Sequence, residues 1–192
     1  MLDISKAKIG FIGYGNMAGA VSRGLVLSGA VMPEQIYACA RDYEKLCRKA
    51  EAEGINPCED SCKLSERCDV IFIGVKPYLV KDVMEPLKEL LRGKVVISLA
   101  ANTYCADLSE IIPEAHVLAT APNTPVSVCE GVFICESENT LTKDEKVFTE
   151  QLLSKLGTFM WMDRAHMGIA GVIAGCGPAF TAMYMEALGD AG

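Results

Sequence analysis

Short apolar runs alternate with amphipathic helical patterns along most of this chain. The run at 69–75, Asp-Val-Ile-Phe-Ile-Gly-Val, is nearly all β-branched or aromatic, as expected of a strand buried on both faces. Other runs predict strands at 7–12, 35–40, 94–99, 116–120, 132–135 and 158–162. Helical patterns lie at 17–27, 43–53, 83–91, 108–112 and 142–156. Such alternation predicts an α/β fold with a doubly wound, mostly parallel sheet.

The pattern changes near residue 164. The last sheet helix begins at Thr142 with a capping-box spacing to Glu145, and a short strand follows it. Beyond Asp163 come small residues and then a helical pattern, Phe180, Met183, Tyr184, Ala187 and Leu188. We predict a boundary near Asp163, with a sheet domain at 1–163 and the start of a helical C-terminal domain, which we interpret as incomplete, at 164–192.

The stretch 167–185 carries no charge and is long enough to consider as a membrane span. It holds Gly168, Gly171, Gly175, Gly177 and Pro178. These small and helix-breaking residues favour a buried loop-to-helix junction. We therefore predict a soluble protein.

Composition narrows the partners and the compartment. The chain has 192 residues, 51% of them hydrophobic, a net charge of -7 and no Lys/Arg block, which argues against nucleic acid and membrane as partners. Nine cysteines are present, an odd number without a CxxC pair, which favours reduced thiols in the cytoplasm and no metal site. The densest group is Cys58, Cys62 and Cys68.

A glycine-rich turn follows the first predicted strand. Gly13-x-Gly15-x-x-Ala18 matches the dinucleotide fingerprint G-x-G-x-x-G/A. Gly13 permits a tight turn, Gly15 lets a pyrophosphate approach the backbone, and Ala18 keeps the helix close to the strand. With Asn16 and Met17, these residues are candidates for cofactor binding through free N–H groups at a helix start. The 1–163 segment is thus predicted to be a Rossmann domain.

The end of the second strand indicates the cofactor. An acid there binds the ribose 2′-hydroxyl of NAD, whereas an Arg accommodates the 2′-phosphate of NADP. Here Arg41 comes first and Asp42 follows. Asp42 could pair with Arg41 or take the hydroxyl role. We predict NADPH, with NADH as the alternative.

Several segments in order resemble the pyrroline-5-carboxylate reductase family. They are GFIGYGNMAGAVSRGL at 10–25, DVIFIGVKP at 69–77, VVISLAAN at 95–102, APNTPVSVCEG at 121–131 and GCGPAFTAMYMEALGDAG at 175–192. The resemblance implies a Rossmann domain and an all-helical domain that interlocks with a partner subunit, hence a homodimer or higher homo-oligomer through the C-terminal helices. It also implies NAD(P)H-dependent reduction of the C=N bond of 1-pyrroline-5-carboxylate, the step that makes proline in amino-acid biosynthesis.

Candidate ligand-binding residues follow three predicted strands. Because ligands bind beyond the carboxyl ends of the strands in an open α/β sheet, we expect Val75-Lys76-Pro77, Ala100-Ala101 and 122–125 to line one crevice. The resemblance places Lys76 and Pro77 along the cofactor, and Ala100 and Asn123 near its nicotinamide. Lys76 could instead be a surface lysine, and Asn123 could instead stabilise a turn.

Substrate-loop candidates precede the Phe180 helix. They are Gly175, Cys176, Gly177, Pro178 and Ala179. Glycines ahead of a helix with Pro in its first turn expose N–H groups that suit a carboxylate, and the resemblance implies that this loop faces the imino acid. The alternative is a tight interdomain turn.

The chain departs from the family pattern at several positions. Asn102 stands where the family usually has Gly, and Ala119 and Ala121 where it usually has Arg and Met. Gly171 and Cys176 replace Thr and Ser, and these changes bear on substrate and rate. Family members also continue for tens of residues beyond EALGDAG, so the chain either lacks most of the helical domain or is a short divergent relative.

We expect catalysis by positioning, with no acid–base side chain. One alternative is another Rossmann oxidoreductase, of the β-hydroxyacid dehydrogenase or deazaflavin-reducing type. The former should carry a catalytic lysine after the sheet, and 164–192 contains none. The second alternative is a non-catalytic NADPH-binding paralogue with a regulatory role.

Overall fold

The computed structural model describes residues 2–192. It contains one eight-stranded sheet in the order β3-β2-β1-β4-β5-β6-β7-β8. The strands are β1 Ile9–Ile12, β2 Ile36–Cys39, β3 Asn56–Pro57, β4 Val70–Ile73, β5 Val95–Ser98, β6 His116–Pro122, β7 Gly131–Glu136 and β8 Gly157–Met162. All neighbouring pairs are parallel except β6 with β7. The predicted doubly wound, mostly parallel sheet is confirmed.

Seven α-helices within residues 2–192 accompany the sheet. They are α1 Asn16–Leu27, α2 Tyr43–Glu53, α3 Ser61–Arg67, α4 Val80–Met84, α5 Cys105–Ile111, α6 Lys143–Leu153 and α7 Arg164–Ala191. The capping box of α6 forms as predicted, because Thr142 Oγ1 accepts from the Glu145 N–H while the Glu145 carboxylate accepts from the Thr142 N–H.

Strands β1 and β4 are neighbours in the interior of the sheet, and their residues are all buried. Their register pairs Phe11 with Phe72, and the two rings stack with centroids 4.9 Å apart. The strand order reverses beside β1, which lies between β2 and β4. In such sheets this reversal opens a crevice at the carboxyl ends of the strands. The site is therefore expected above β1, β4 and β5.

Two elements differ from the predicted pattern. The stripe at 83–91 predicts one helix, but α4 gives way to a 3₁₀ turn at Glu85–Leu87, since Pro86 supplies no N–H. Leu87 and Leu91 are nevertheless buried. The edge strand β3 and helix α3 were not predicted. Asp60, in the cysteine-rich segment, caps α3 by accepting from the Lys63 N–H.

The predicted loop at 175–179 is wrong. Gly175 to Ala179 lie inside α7, one continuous helix from Arg164 to Ala191 with Pro178 in its interior. Pro178 lacks the N–H that would bond the Ala174 carbonyl, and the side-chain amide of Asn123 donates to that carbonyl at 3.0 Å instead. The helix therefore passes through the proline with its freed carbonyl satisfied.

Most of α7 is exposed, including Phe180, Met183, Tyr184 and Leu188. By length and composition α7 would also suffice to cross a membrane, and it is the one such helix within residues 2–192. Length and composition alone do not separate a membrane span from an apolar helix that packs against protein. The apolar side chains beyond Pro178 have no packing partner in the described part of the chain.

Candidate active site

The turn between β1 and α1 presents unpaired backbone donors. Gly13 has a φ of +89°, which only glycine adopts easily. Gly15 caps α1 without a side-chain hydrogen bond, and the first turn of α1 carries no acid. A Cβ at Gly15 would meet nothing within 4 Å. The turn thus leaves free N–H groups at a helix start, with open space in front, an arrangement suited to a phosphate.

Close packing with a second glycine shapes this turn. A Cβ on Gly13 would lie 2.8 Å from the Gly74 carbonyl carbon, and a Cβ on Gly74 would lie 2.9 Å from the Ala18 Cβ. Gly74 follows β4 and donates its N–H to the Ile12 carbonyl at 2.8 Å. Sequence reasoning did not single out Gly74, although it stands between a buried strand and the Val-Lys-Pro segment. Ala18 is buried, as its predicted packing role requires.

Within residues 2–192, the end of β2 excludes one alternative for Asp42, an ion pair with Arg41. Its carboxylate accepts from the Lys45 N–H and so caps α2. Arg41 is exposed and forms no ion pair within residues 2–192. The Cys39 carbonyl accepts from the Gly13 N–H at 2.9 Å, which places the end of β2 beside the glycine turn. Asp42 is thus a helix cap, and Arg41 is left available to a ligand.

Val75, Lys76 and Pro77 follow β4 at the same edge. Val75 contacts the glycine turn, since a Cβ on Gly13 would lie 2.8 Å from Val75 Cγ1. Lys76 and Pro77 are exposed, and Pro77 begins a 3₁₀ turn. The structure thus brings Val75 against the fingerprint and leaves Lys76 in solvent beside it.

A cavity of about 270 Å³ lies where β5 and β6 end against α7. It is lined by 99–104, 119–122, Met167, Gly168, Gly171, Val172 and Cys176. Within residues 2–192 no charged or imidazole side chain lines it. Larger depressions exist elsewhere. Two of them, of about 720 and 760 Å³, lie between the N-terminus and α6, and two more, of about 290 and 330 Å³, lie beside Glu136 and beside Glu53 respectively. Position at the carboxyl edge of the sheet, rather than volume, selects the smaller cavity.

Only part of the predicted crevice meets at this cavity. Ala100 and Cys176 line it, whereas Asn123, Lys76 and Pro77 do not. Asn123 is buried and uses both ends of its amide within the protein, since its Oδ1 also accepts from the Val132 N–H at 2.8 Å. This arrangement favours the structural alternative for Asn123.

Comparison with known proteins gives a family model that matches the first half of the chain and several relatives that match nearly all of it. Residues 8–102 match the family model described as NADP oxidoreductase coenzyme F420-dependent. Pyrroline-5-carboxylate reductase of Treponema pallidum is 39% identical over 189 residues, which are 96% of this chain and 72% of that protein. The chain belongs to the pyrroline-5-carboxylate reductase family.

Solved structures agree with this assignment. The Plasmodium falciparum pyrroline carboxylate reductase with NADP bound superposes with a TM-score of 0.89 at 27% identity, covering 98% of this chain and 70% of that one. The Coxiella burnetii pyrroline-5-carboxylate reductase gives 0.88 at 30% identity, covering 97% and 70%. The fold of these reductases thus extends across nearly the whole chain.

Three departures from the reductase pattern, at Asn102, Gly171 and Ala121, have local explanations. Asn102 has a φ of +56°, and Asn is among the few non-glycine residues that tolerate this region. Gly171 faces Ala121, because a Cβ on Gly171 would lie 3.7 Å from the Ala121 Cβ. The two small residues therefore meet across the cavity wall. Ala119 is buried in β6 and its N–H contacts Cys105 Sγ at 3.1 Å.

Sequence reasoning missed two residues that hold the cavity wall. Glu136 ends β7, is buried, and accepts from the Cys105 N–H at the start of α5. Arg164 stacks its guanidinium 4.8 Å from the ring centroid of Tyr104, a lining residue. The sequence signal that would have found Glu136 is an acid directly after the apolar run at 132–135.

The cysteine beneath this wall is inert. Burial raises the pKa of Cys105 to about 12, so its thiol stays protonated at neutral pH and does not act as a nucleophile. Within the part of the chain that the structure describes, this thiol therefore adds no base to a cavity whose lining carries no charged or imidazole side chain.

Proposed function

We propose that this protein reduces the C=N bond of 1-pyrroline-5-carboxylate with NADPH and thereby makes proline. The observation that carries the proposal is that the bare glycine turn and the small, uncharged cavity open at the same carboxyl edge of the sheet. One suits a diphosphate and the other a small ring. The identity of the substrate is inferred from the family to which the chain belongs.

The residues present fit NADPH. The free N–H groups behind Gly15 suit the pyrophosphate, and the uncommitted Arg41 suits a 2′-phosphate. Asp42 is occupied as a helix cap, which weakens the case for NADH. Gly13, Gly15, Asn16, Met17, Ala18 and Arg41, with Val75, Lys76, Pro77 and Ala100, remain the proposed cofactor-binding residues. Asn123 is proposed to act indirectly, by fixing the strand end.

The reduced nicotinamide supplies the hydride when NADPH is bound. The protein holds the substrate ring between the ends of β5 and β6 and the face of α7 and shields it from water. A protonated imine is already electrophilic at carbon, so positioning suffices, in keeping with a lining that lacks charged and imidazole side chains. Cys176 remains a proposed substrate contact. The exposed backbone N–H groups predicted at 175–179 are not part of the proposal, because these residues are helical.

We further propose that 1–163 is the cofactor domain and that 164–192 begins a helical domain through which copies of the chain assemble as a homodimer or higher homo-oligomer. The exposed apolar side chains of α7 support this. We propose a cytoplasmic location, in keeping with the nine free cysteines.

Nicotinamide absorbance tests the proposed activity. Full-length protein is mixed with NADPH and pyrroline-5-carboxylate, and the expected result is loss of absorbance with equimolar formation of proline. No loss above the enzyme-free control would reject the activity. Binding of NADPH without proline formation would identify a non-catalytic paralogue instead.

A further inference from the structure

Tyr14, the variable residue between Gly13 and Gly15, points into the protein. Its side chain is only 8% exposed. The ring packs edge-on against Phe11 with centroids 5.8 Å apart, and Lys49 Nζ lies 4.4 Å from its centroid. The fingerprint does not require a large residue here, so this ring is a feature of this chain beyond the turn itself.

The Tyr14 hydroxyl joins two helices. It lies 2.6 Å from Glu53 Oε2 on α2 and 2.8 Å from Ser22 Oγ on α1. A phenol has one proton and an ionised carboxylate only accepts, so the proton is donated to Glu53. Burial and the nearby Glu53 raise the pKa of Tyr14 well above its usual range, so the donor persists at any physiological pH.

Glu53 connects this hydroxyl to the other half of the cofactor site. It is the last residue of α2, and Arg23 of α1 pairs with it at 3.3 Å. The opposite end of α2 is capped by Asp42, immediately after Arg41. An 11-residue helix is a stiff rod of about 16 Å. Holding one end of α2 therefore sets where its other end, and Arg41, can lie relative to the glycine turn.

We propose that Tyr14 is a positioning residue whose bond to Glu53 holds the glycine turn and α2 in the relative placement that binds NADPH. The inference rests on the proposed function, since it assigns the turn to the pyrophosphate and Arg41 to the 2′-phosphate. It adds a tether that prearranges the two subsites before the cofactor arrives. Prearrangement improves affinity because less ordering remains to be done on binding.

Cofactor titration of full-length variants tests this tether. Tyr14→Phe removes only the hydroxyl and is expected to raise the Kd for NADPH about fivefold or more, as the loss of a hydrogen bond to a charged group allows. NADH binding should weaken less, because only NADPH carries the phosphate that Arg41 would contact. With NADPH saturating, kcat should stay within about twofold of wild type. The variant loses cofactor-binding energy that is equal in the ground state and the transition state, and such a loss does not change kcat. Kd is measured by calorimetry, independently of turnover.

Variants of the acceptor complete the test. Glu53→Ala also releases Arg23, so it should weaken NADPH binding at least as much as Tyr14→Phe. The double variant should bind no more weakly than Glu53→Ala, and Glu53→Gln, which keeps an acceptor for the Tyr14 hydroxyl, should recover most of the affinity. If Tyr14→Phe does not fold, Glu53→Ala compared with Arg23→Ala, which removes only the Arg23–Glu53 pair, isolates the contribution of the Tyr14 bond. Thr142→Ala is the matched control. It removes the α6 cap, costs about 1 kcal/mol of stability, and should leave Kd unchanged.

The proposal is overturned if Tyr14→Phe and Glu53→Ala lower Tm as Thr142→Ala does but bind both cofactors like wild type, or if their effects on Kd add in the double variant. Absence of NADPH binding by the wild-type protein would instead reject the proposed function.

Discussion

The side-chain amide of Asn123 donates to the backbone carbonyl of Ala174 at 3.0 Å, and this carbonyl is the one that Pro178 leaves without a helical partner. The contact joins the carboxyl end of β6 to the middle of α7. It also explains how a helix with an interior proline continues without a break, which would otherwise cost about 3 kcal/mol. The cavity wall formed by α7 therefore depends on a residue that does not line the cavity.

Asn123→Ala is expected to destabilise the protein by about 1–3 kcal/mol, because it leaves both the Ala174 carbonyl and the Val132 N–H without their partner. Urea unfolding measures the change. Pro178→Ala restores a helical donor for Ala174, so Asn123→Ala should cost less in a Pro178→Ala background. An equal cost in both backgrounds would contradict the assigned relationship.

Alanine substitutions at Gly15 and Gly74 should have different effects, the first on NADPH binding and the second on stability. Gly15→Ala places a methyl group in open space, so Tm should hardly change, while the Kd for NADPH rises at least about tenfold because the backbone approach is blocked. Gly74→Ala clashes with Gly13 and with Ala18 Cβ at 2.9 Å, and overpacking of this kind costs about 1–3 kcal/mol. Thermal unfolding and cofactor titration of both variants provide the check. A Gly15→Ala variant with wild-type affinity would remove the turn from the proposed site.

Gly171→Ala should stabilise the protein without closing the cavity. Gly in a helix interior costs about 1 kcal/mol relative to Ala, and the added Cβ would lie 3.7 Å from the Ala121 Cβ, an ordinary contact. The free energy of unfolding should therefore rise by up to that amount. Gly168→Ala, also on α7 with no neighbour within 4 Å, is the matched control. A fall in stability in Gly171→Ala but not in Gly168→Ala would show that the space between Gly171 and Ala121 is too small for a methyl group.

Local patterns predicted the sheet well because its signals are local. Runs such as Val70–Ile73 are apolar on both faces, and Thr142 with Glu145 forms a capping box that depends on four residues. The glycine turn was found for the same reason. The helix through Gly175 and Pro178 was not predicted, because the hydrogen bond that replaces the one lost at Pro178 comes from Asn123, which is far away in sequence. Gly74 and Glu136 were missed for a related reason, since their roles arise from contacts with Gly13 and Cys105 that only the folded chain creates.

Alkaline pH should destabilise the fold through its buried thiols. Burial is the largest cause that raises the pKa values of Cys39, Cys68 and Cys105 to about 12, compared with 9.0 for a free thiol. A folded pKa above the unfolded value gives stability that is complete below about pH 9 and is lost as pH rises toward 12. Unfolding free energy should thus fall steadily between pH 9 and pH 11.

Urea unfolding at each pH measures this fall. The slope of unfolding free energy against pH should become shallower in Cys39→Ala and in Cys68→Ala. Cys62→Ala, which changes an exposed thiol, serves as the control. A flat profile, or the same slope in every variant, would show that these thiols do not govern alkaline stability.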